Sequence, residues 1–418
     1  MGLVKKPKYT DYWSTDSLMD TPIFCAACKR QRYLNILRFW HFNNNDHQPN
    51  QNDRNRDRMF KIRPIIDHLN RKFQAAIQPE QQIALDESLL LYKGRLAFKQ
   101  FLPAKRSNFG IKIFQLCESK SGYTYKFMIY PGKLAPVQDI ANQMPNVEGA
   151  TSTDKLSSYM IEPLLGCGYH LYVDNWYTSL RLFKYLKTEN TAACGTIRKN
   201  RVPQEVSQLA VGTGESKSLR NNDLLVVKYR PKVNKYVHML ATIHNEQTRQ
   251  VNVFGRHRTV AQKPVCVIDY NSYMGGVDKV DQFRQPYNAT RKTLKWYRKV
   301  ALHLMQIAML NAWILYVKST GSDTSFFKFQ LDVCGNLIFQ CPVEQNQDNP
   351  DLIRLTGRHF AKPVPATNAR SKPFRRCRVC RIRHQIRKET KFYCPDCPGE
   401  PALCIDPCFK IYHTDYHL

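Results

Sequence analysis

Apolar positions recur at helical spacing over residues 33–42, YLNILRFWHF, and again over 63–77. Between them, residues 43–58 hold almost no apolar side chain and read as a solvated loop. The character changes at Gln82. The stretch QIALDESLLLYKGR is rich in Leu. The next, GIKIFQLCESKSGYTYKFMIYPGK, alternates around a Ser-Lys-Ser-Gly turn at 119–122, the pattern of a β-hairpin. Residues 169–173 predict a short strand that ends at Asp174. Residues 180–187 predict a helix and 192–197 another strand. Strands first, then alternating helix and strand, predict an α/β layer with a mixed sheet. The segment 199–263 is less periodic, with strand-like stretches at 224–229 and 237–243. A helix opens near Asp278, a long one covers 294–317, and 331–361 reads as irregular.

The longest apolar run, 300–317, contains His303, Gln306 and Asn311 on one side of a helix. That places it in a core with one wet edge and not in a lipid bilayer. The basic opening residues lack an apolar run and do not read as a secretory signal, and Lys6 argues against myristoylation at Gly2. Of the 418 residues, 63 are Lys or Arg and 34 are Asp or Glu, for a net charge of +29. A surplus of this size calls for an anionic partner, nucleic acid first. Fourteen cysteines without an export signal point to a reducing compartment, where they are buried, reactive or metal-bound.

Three acids stand out by position. Asp86 lies inside a predicted strand, Asp174 at a strand's C-terminal end, and Asp278 at the start of a helix with Asp281 on the same face. Each taken singly has a structural explanation, as a turn, cap or ion-pair residue. Taken together they suit a site for two Mg²⁺ about 3.5–4 Å apart, which cleaves and joins phosphodiesters. Basic clusters flank them: Lys93, Arg95, Lys99, Lys105 and Arg106 after the first, and Arg198, Lys199 and Arg201 after the second.

The stretches ALDESLLLYKGR, VDNWYTS, CGTIRKNR and YNSYMGGVDKVDQF, in that order, resemble the piggyBac family of DNA transposases and their domesticated relatives. The resemblance covers essentially the whole chain, including the helix WYRKVALHLMQIAMLNAWILY and the cysteine tail. It implies an RNase H-like catalytic core with a β-rich insertion, a surrounding helical DNA-binding domain and a small C-terminal zinc-binding cross-brace module. Asp86, Asp174 and Asp278 match the catalytic triad, with Asp281 as the adjacent acid. The implied divisions are a helical dimerisation and DNA-binding part over 1–80 and 285–369, a core over 81–200 and 263–284, an insertion over 201–262, and a basic tract with a cysteine-rich domain over 370–418. The implied reaction is cut-and-paste transposition at TTAA sites through hairpin ends, by a nuclear homodimer. The family also implies a long acidic or disordered region ahead of the segment with which this sequence begins.

In the tail, Cys377, Cys380, Cys394, Cys397, Cys404, Cys408, His413 and His417 suit two tetrahedral Zn²⁺ sites. Cross-brace pairing groups Cys377, Cys380, Cys404 and Cys408 at one metal, and Cys394, Cys397, His413 and His417 at the other. His384 is a ninth candidate that could displace a tail histidine, though it reads first as part of the basic tract, whose Arg375 and Arg376 would meet phosphates. Cys25-x₂-Cys28 reads as helical-core cysteine. Two rivals to the transposase stay open: a domesticated DNA-binding protein that no longer cuts, and a zinc protein that reads chromatin or another protein.

Overall fold

Residues Gln82–Leu91 form β1, the strand around which the larger part of the fold is arranged. A computed structural model describes residues 1–50, 53, 56–103, 108–132, 138–253, 259–340, 359–367 and 370–415, in two units, 1–330 and 331–418. In the first unit β2 (Gln100–Phe101), β3 (Phe109–Glu118), β4 (Thr124–Ile129), β5 (His170–Val173), β6 (Ala192–Thr196), β7 (Ser216–Asn221), β8 (Leu224–Lys232) and β9 (Lys235–Ala241) join β1 in a nine-stranded sheet. The order is β2-β3-β1-β5-β6-β9-β8-β7, with β4 also paired to β3. Strands β1, β5 and β6 are parallel, while β3 and β4 run antiparallel, the RNase H-like arrangement. A separate hairpin pairs β10 (Thr248–Val253) with β11 (Thr259–Pro264). Of the strands in 201–262, three therefore continue the main sheet and only the hairpin stands outside it.

The helices of this unit are α1 (Pro22–Ala27), α2 (Arg30–Phe39), α3 (Arg63–Ala76), α4 (Gln138–Ala141), α5 (Ser152–Ile161), α6 (Leu180–Thr188), α7 (Gln204–Gln208), α8 (Val265–Tyr273), α9 (Gly276–Arg284) and α10 (Trp296–Thr320). α11 (Phe326–Gly335) runs on into the second unit, so the segment expected to be irregular begins as helix. Its sequence FFKFQLDVCG is apolar enough to form one; Phe326 packs on Trp313 and Tyr287. Local chemistry sets several boundaries. Thr151 and Asp154 close a capping box on α5, and the Ser179 hydroxyl accepts from Leu182 N–H at the start of α6. Gly321, at φ 66°, ends α10 in the left-handed conformation.

Both faces of the sheet are covered, which is why β3 is buried along nearly all its length. One face sends Ile83, Leu85, Leu171 and Val173 into a core shared with Leu156, Met160, Leu182 and Phe183 of α5 and α6. The other sends Tyr172, Cys194, Val227 and Met239 against Cys266 and Val267 of α8.

Helix α10 is long and apolar enough to cross a membrane by length and composition alone. The wet edge expected on it is instead an inner face. His303 and Asn311 are buried, and Gln306 donates to the Tyr287 carbonyl at 2.7 Å. The reason is that backbone at the sheet's rim needs partners. The Asn311 amide accepts from Thr124 N–H and donates to Thr124 C=O, both at 2.9 Å. Asn70 of α3 does the same for Phe127, at 2.9 and 3.0 Å. Removing either amide would leave two buried backbone groups unpaired, at about 1–3 kcal/mol each.

Among the described residues, His303 has no hydrogen-bond partner on either ring nitrogen. Burial first, then the charges of Arg284 and Lys299, push its pKa well below the ordinary 6.5. Unfolded, the ring takes a proton near 6.5; folded, it resists. Its stabilising share is complete above that value and drains away as pH falls below it. Urea midpoints should drop between pH 7 and pH 5. His303→Leu should flatten that slope by up to about 1.4 kcal/mol per pH unit. An unchanged slope in the variant would show that His303 is not the sensor.

The expectation for Cys25 and Cys28 is not met: Cys25 is exposed and Cys28 partly so. The six-residue α1 packs Phe24 against Tyr12 and Trp13, which leaves Cys25 facing outward.

Candidate functional site

In β1, Ala84, Asp86 and Ser88 point to one face and Ile83, Leu85 and Glu87 to the other, because side chains alternate. β5 runs parallel to β1 with Ala84 opposite Tyr172 and Leu85 opposite Val173. Asp86 and Asp174 are the next residues after the last pair, and by alternation both side chains leave on the face of Ala84 and Tyr172, which α8 covers. Asp86 Oδ1 accepts from Glu87 N–H at 2.7 Å. Asp174 Oδ1 accepts from Trp176 N–H at 2.8 Å, and its carbonyl accepts from the Thr178 hydroxyl at 2.8 Å, so it opens a tight turn at the strand's end.

The third predicted acid lies on α9, whose start rests on the same face. A Cβ placed on Gly276 would sit 3.3 Å from the Ala84 and Cys117 side chains and from the Glu118 carbonyl. A side chain there would push its neighbours by a few tenths of an ångström, so glycine suits this close approach of the helix. Val277 and Val280 anchor it in the core. Asp278 then stands exposed in the first turn, and Asp281 is half-buried and ion-paired to Arg284 at 2.8 Å. The Cys117 thiol senses the shared neighbourhood: burial, and then the charges of Asp86 and Asp281, push its pKa up to about 12.

Burial raises the Asp174 carboxyl above its usual range and the charge of Glu87 adds to it. The N–H groups of Trp176 and Tyr177 and the Arg198 guanidinium pull the other way. A partly desolvated carboxyl that resists ionisation, as at Asp174, is an environment a cation relieves, and hard oxygen donors suit a divalent ion such as Mg²⁺. Of the predicted basic residues, Arg198 donates to Asn175 Oδ1 at 3.0 Å. Arg201 donates to the carbonyls of Asn175, Trp176 and Thr178, at 3.3, 3.3 and 2.9 Å. Both brace the turn after Asp174 from the solvent side. Lys199 is exposed beside them, and Lys93 and Arg95 are exposed after β1. Lys105 and Arg106 lie outside the described residues.

The second unit has its own site. Short strands β12 (Lys362–Pro363), β13 (Arg375–Arg376), β14 (Glu389–Thr390) and β15 (Phe392–Tyr393) pair as β12-β15 and β13-β14, with helices α12 (Arg378–Arg383) and α13 (Cys408–Thr414). Cys377, Cys380, Cys404 and Cys408 converge with all four sulfurs within 4.8 Å of one another. Cys380 Sγ lies 3.9 Å from Cys404 Sγ and 3.5 Å from Cys408 Sγ. Tetrahedral zinc at ~2.3 Å from each sulfur demands about 3.8 Å.

The second group is His359, Cys394, Cys397 and His413. His359 Nδ1 is 3.4 Å from both sulfurs, and His413 Nε2 is 3.4 Å from Cys397 Sγ. His413 Nδ1 bonds the Phe409 carbonyl at 2.7 Å, which leaves Nε2 for a metal. The two ligand sets interleave along the chain, as a cross-brace does. His359, which sequence reading missed, completes the second set; the predicted ligand His417 lies outside the described residues. His384 is exposed and belongs to neither set. Arg375 and Arg376 are exposed on the strand leading into Cys377, with Arg375 3.9 Å from Glu400.

Comparison with known proteins agrees with this layout. Residues 1–313 match the family model described as Transposase IS4, and residues 362–414 match a DDE_Tnp_1-like zinc finger. His359 falls just ahead of the latter span. PiggyBac transposable element-derived protein 3 of Homo sapiens is 26% identical over 99% of this chain and 68% of its own length. PiggyBac transposable element-derived protein 2 of Homo sapiens is 26% identical over 75% of this chain, which spans 53% of that relative. Among solved structures, the cryo-EM structure of a piggyBac transposase synaptic complex with hairpin DNA superposes with a TM-score of 0.66 at 24% identity, over 86% of this chain and 74% of the other. With the sheet order, the acids on one face and the paired Cys/His clusters in place, the chain belongs to the piggyBac family of transposases and transposase-derived proteins.

Proposed function

We propose that this chain is a DNA transposase that cuts and rejoins DNA at TTAA sites through a divalent-metal site. The reading is supported by two acids, Asp86 and Asp174, that directly follow the last paired residues of adjacent parallel strands, and by the helix of Asp278 and Asp281, which starts against Ala84 of the same strand β1. Asp86, Asp174 and Asp278 would hold two Mg²⁺. When bound, the ions sharpen an attacking water or 3′-hydroxyl and stabilise the leaving oxygen. The chain's own residues do the rest. The fixed turn after Asp174 holds its carboxylate in place. Arg198, Lys199, Lys93 and Arg95 offset the carboxylates' repulsion of a polyanion. The zinc-braced tail, with Arg375 and Arg376 exposed, would hold the transposon's terminal DNA. A nuclear homodimer fits a reaction with two DNA ends. A second reading, a transposase-derived DNA-binding protein that no longer cuts, is supported by the relatives named as transposable element-derived.

The deciding experiment is Mg²⁺-dependent nicking of duplexes that contain TTAA. Nicking at a 3′ end supports the enzyme; its absence alongside DNA binding supports the second reading. Either reading requires DNA affinity to fall steeply with salt. A chain with a net charge of +29 that neutralises about six phosphates should bind roughly a thousandfold more weakly at 200 mM than at 50 mM salt. A flat response by fluorescence anisotropy would sink both and leave a protein partner.

A further inference from the structure

The ladder between β1 and β5 runs to Leu85 and Val173, one residue short of Asp86 and Asp174. Strand pairing therefore does not by itself fix the separation of the two carboxylates. A buried cluster that touches both strands lies behind the sheet. Glu87 follows Asp86 and points to the opposite face, opposite Phe114 of β3. Tyr177 follows Asp174 by three residues and is wholly buried. Its hydroxyl donates to Glu87 Oε2 at 2.9 Å. Burial, and then the Glu87 charge, hold that hydroxyl protonated.

A second tie runs alongside. Lys112 Nζ lies 3.8 Å from Glu87 Oε2 and 4.2 Å from the centre of the Trp176 ring, which stacks on Phe114 at 5.8 Å and 16°. The Trp176 N–H in turn holds the Asp174 carboxylate. Each candidate ligand is thus joined through its own chain neighbours to the same buried cluster.

We propose that Glu87 and Tyr177 are positioning residues, whose hydrogen bond across the back of the sheet sets the spacing of Asp86 and Asp174 for divalent-metal binding. The proposal rests on the metal-site reading above. The hydroxyl is the element that matters, since Phe would fill the same volume without fixing Glu87.

The test uses the full zinc-loaded chain and Mn²⁺ as probe, titrated by calorimetry without DNA and then in DNA cleavage. Tyr177→Phe should weaken Mn²⁺ binding by about tenfold, the range seen when an outer partner of a metal ligand is lost. It should lower kcat for cleavage by a similar factor, leave KM for DNA unchanged, and recover part of the rate at high Mn²⁺. Glu87→Gln, which still accepts from Tyr177, should stay within about threefold of wild type, whereas Glu87→Ala, which also loses Lys112, should be at least as weak as Tyr177→Phe. The double variant Glu87→Ala/Tyr177→Phe should be no worse than Glu87→Ala alone, because the shared bond is lost once. Wild-type Mn²⁺ affinity and kcat in Tyr177→Phe, or additive losses in the double variant, would overturn the proposal. Failure of the underlying reading looks different. If wild type binds no Mn²⁺, both fall. If it binds Mn²⁺ without cutting DNA, the affinity loss in Tyr177→Phe still supports positioning.

Discussion

Asp174→Asn should reduce DNA cleavage by at least about a thousandfold, some 4 kcal/mol of transition-state stabilisation, while DNA affinity stays within about twofold. The side chain lost is a candidate metal ligand at the end of β5 and not a group facing the polyanion with positive charge. Asp86→Asn should do the same. The two acids of α9 should differ. Asp278 is exposed and free to turn toward a metal, so its Asn variant should be as inactive as the others. Asp281 is ion-paired to Arg284, and its Asn variant should lose only about tenfold, as for the loss of a supporting group. The pH profile carries a further sign. The Asp174 carboxyl sits above its ordinary range, so protons compete with the metal at pH values where a free carboxylate would already be ionised. Cleavage at limiting Mg²⁺ should therefore rise with pH through that raised value and level off above it. Single-turnover cleavage measures all of this, and appreciable cutting by Asp174→Asn would remove the acid from the mechanism.

Purified protein should contain two zinc ions per chain, and His359→Ala should contain one. Apparent zinc-binding energies of about 10–16 kcal/mol exceed anything so small a module gains from its apolar core, so chelation should unfold the tail. The sheet that carries Asp86 and Asp174 should stay folded, because it belongs to the other unit. End-specific DNA binding should weaken with the tail. Retention of two zincs by His359→Ala would give the position to another ligand, and zinc-free protein would refute the module.

Much of this was legible in the sequence, for physical reasons. Period-two alternation located β3 and β4 and their turn. The strand-end position of Asp174 and the helix-start position of Asp278, with the family resemblance of their motifs, marked the candidate site. Closely spaced soft ligands marked Cys377, Cys380, Cys404 and Cys408 as metal ligands, and cross-brace pairing grouped them as the structure does. What stayed hidden depends on tertiary context. His359 is a lone histidine separated from Cys394 by the whole basic tract, and nothing local marks it as a ligand. Asn311 and His303 look like the polar side of an amphipathic helix, and only the neighbouring sheet shows that the polar side faces in. Glu87 and Tyr177 are ordinary strand and turn residues until the register places them at each other.

The paired amides of Asn70 and Asn311 have a consequence for association with other chains. A sheet that ends in unpaired peptide groups is a template: any extended segment can add to it, and identical copies can do so without limit. On the β4 side each of these asparagines presents a carboxamide where the next strand's peptide would be, so the rim is already occupied by its own helices. The far rim, β7, has no such amide among the described residues, and it is short and carries Lys217 and Arg220, whose charge repels a second copy of itself. Growth by strand addition is thus blocked at one end by mimicry and discouraged at the other by electrostatics. Under the proposed function, copies that gather along a polyanion can do so without their sheets fusing.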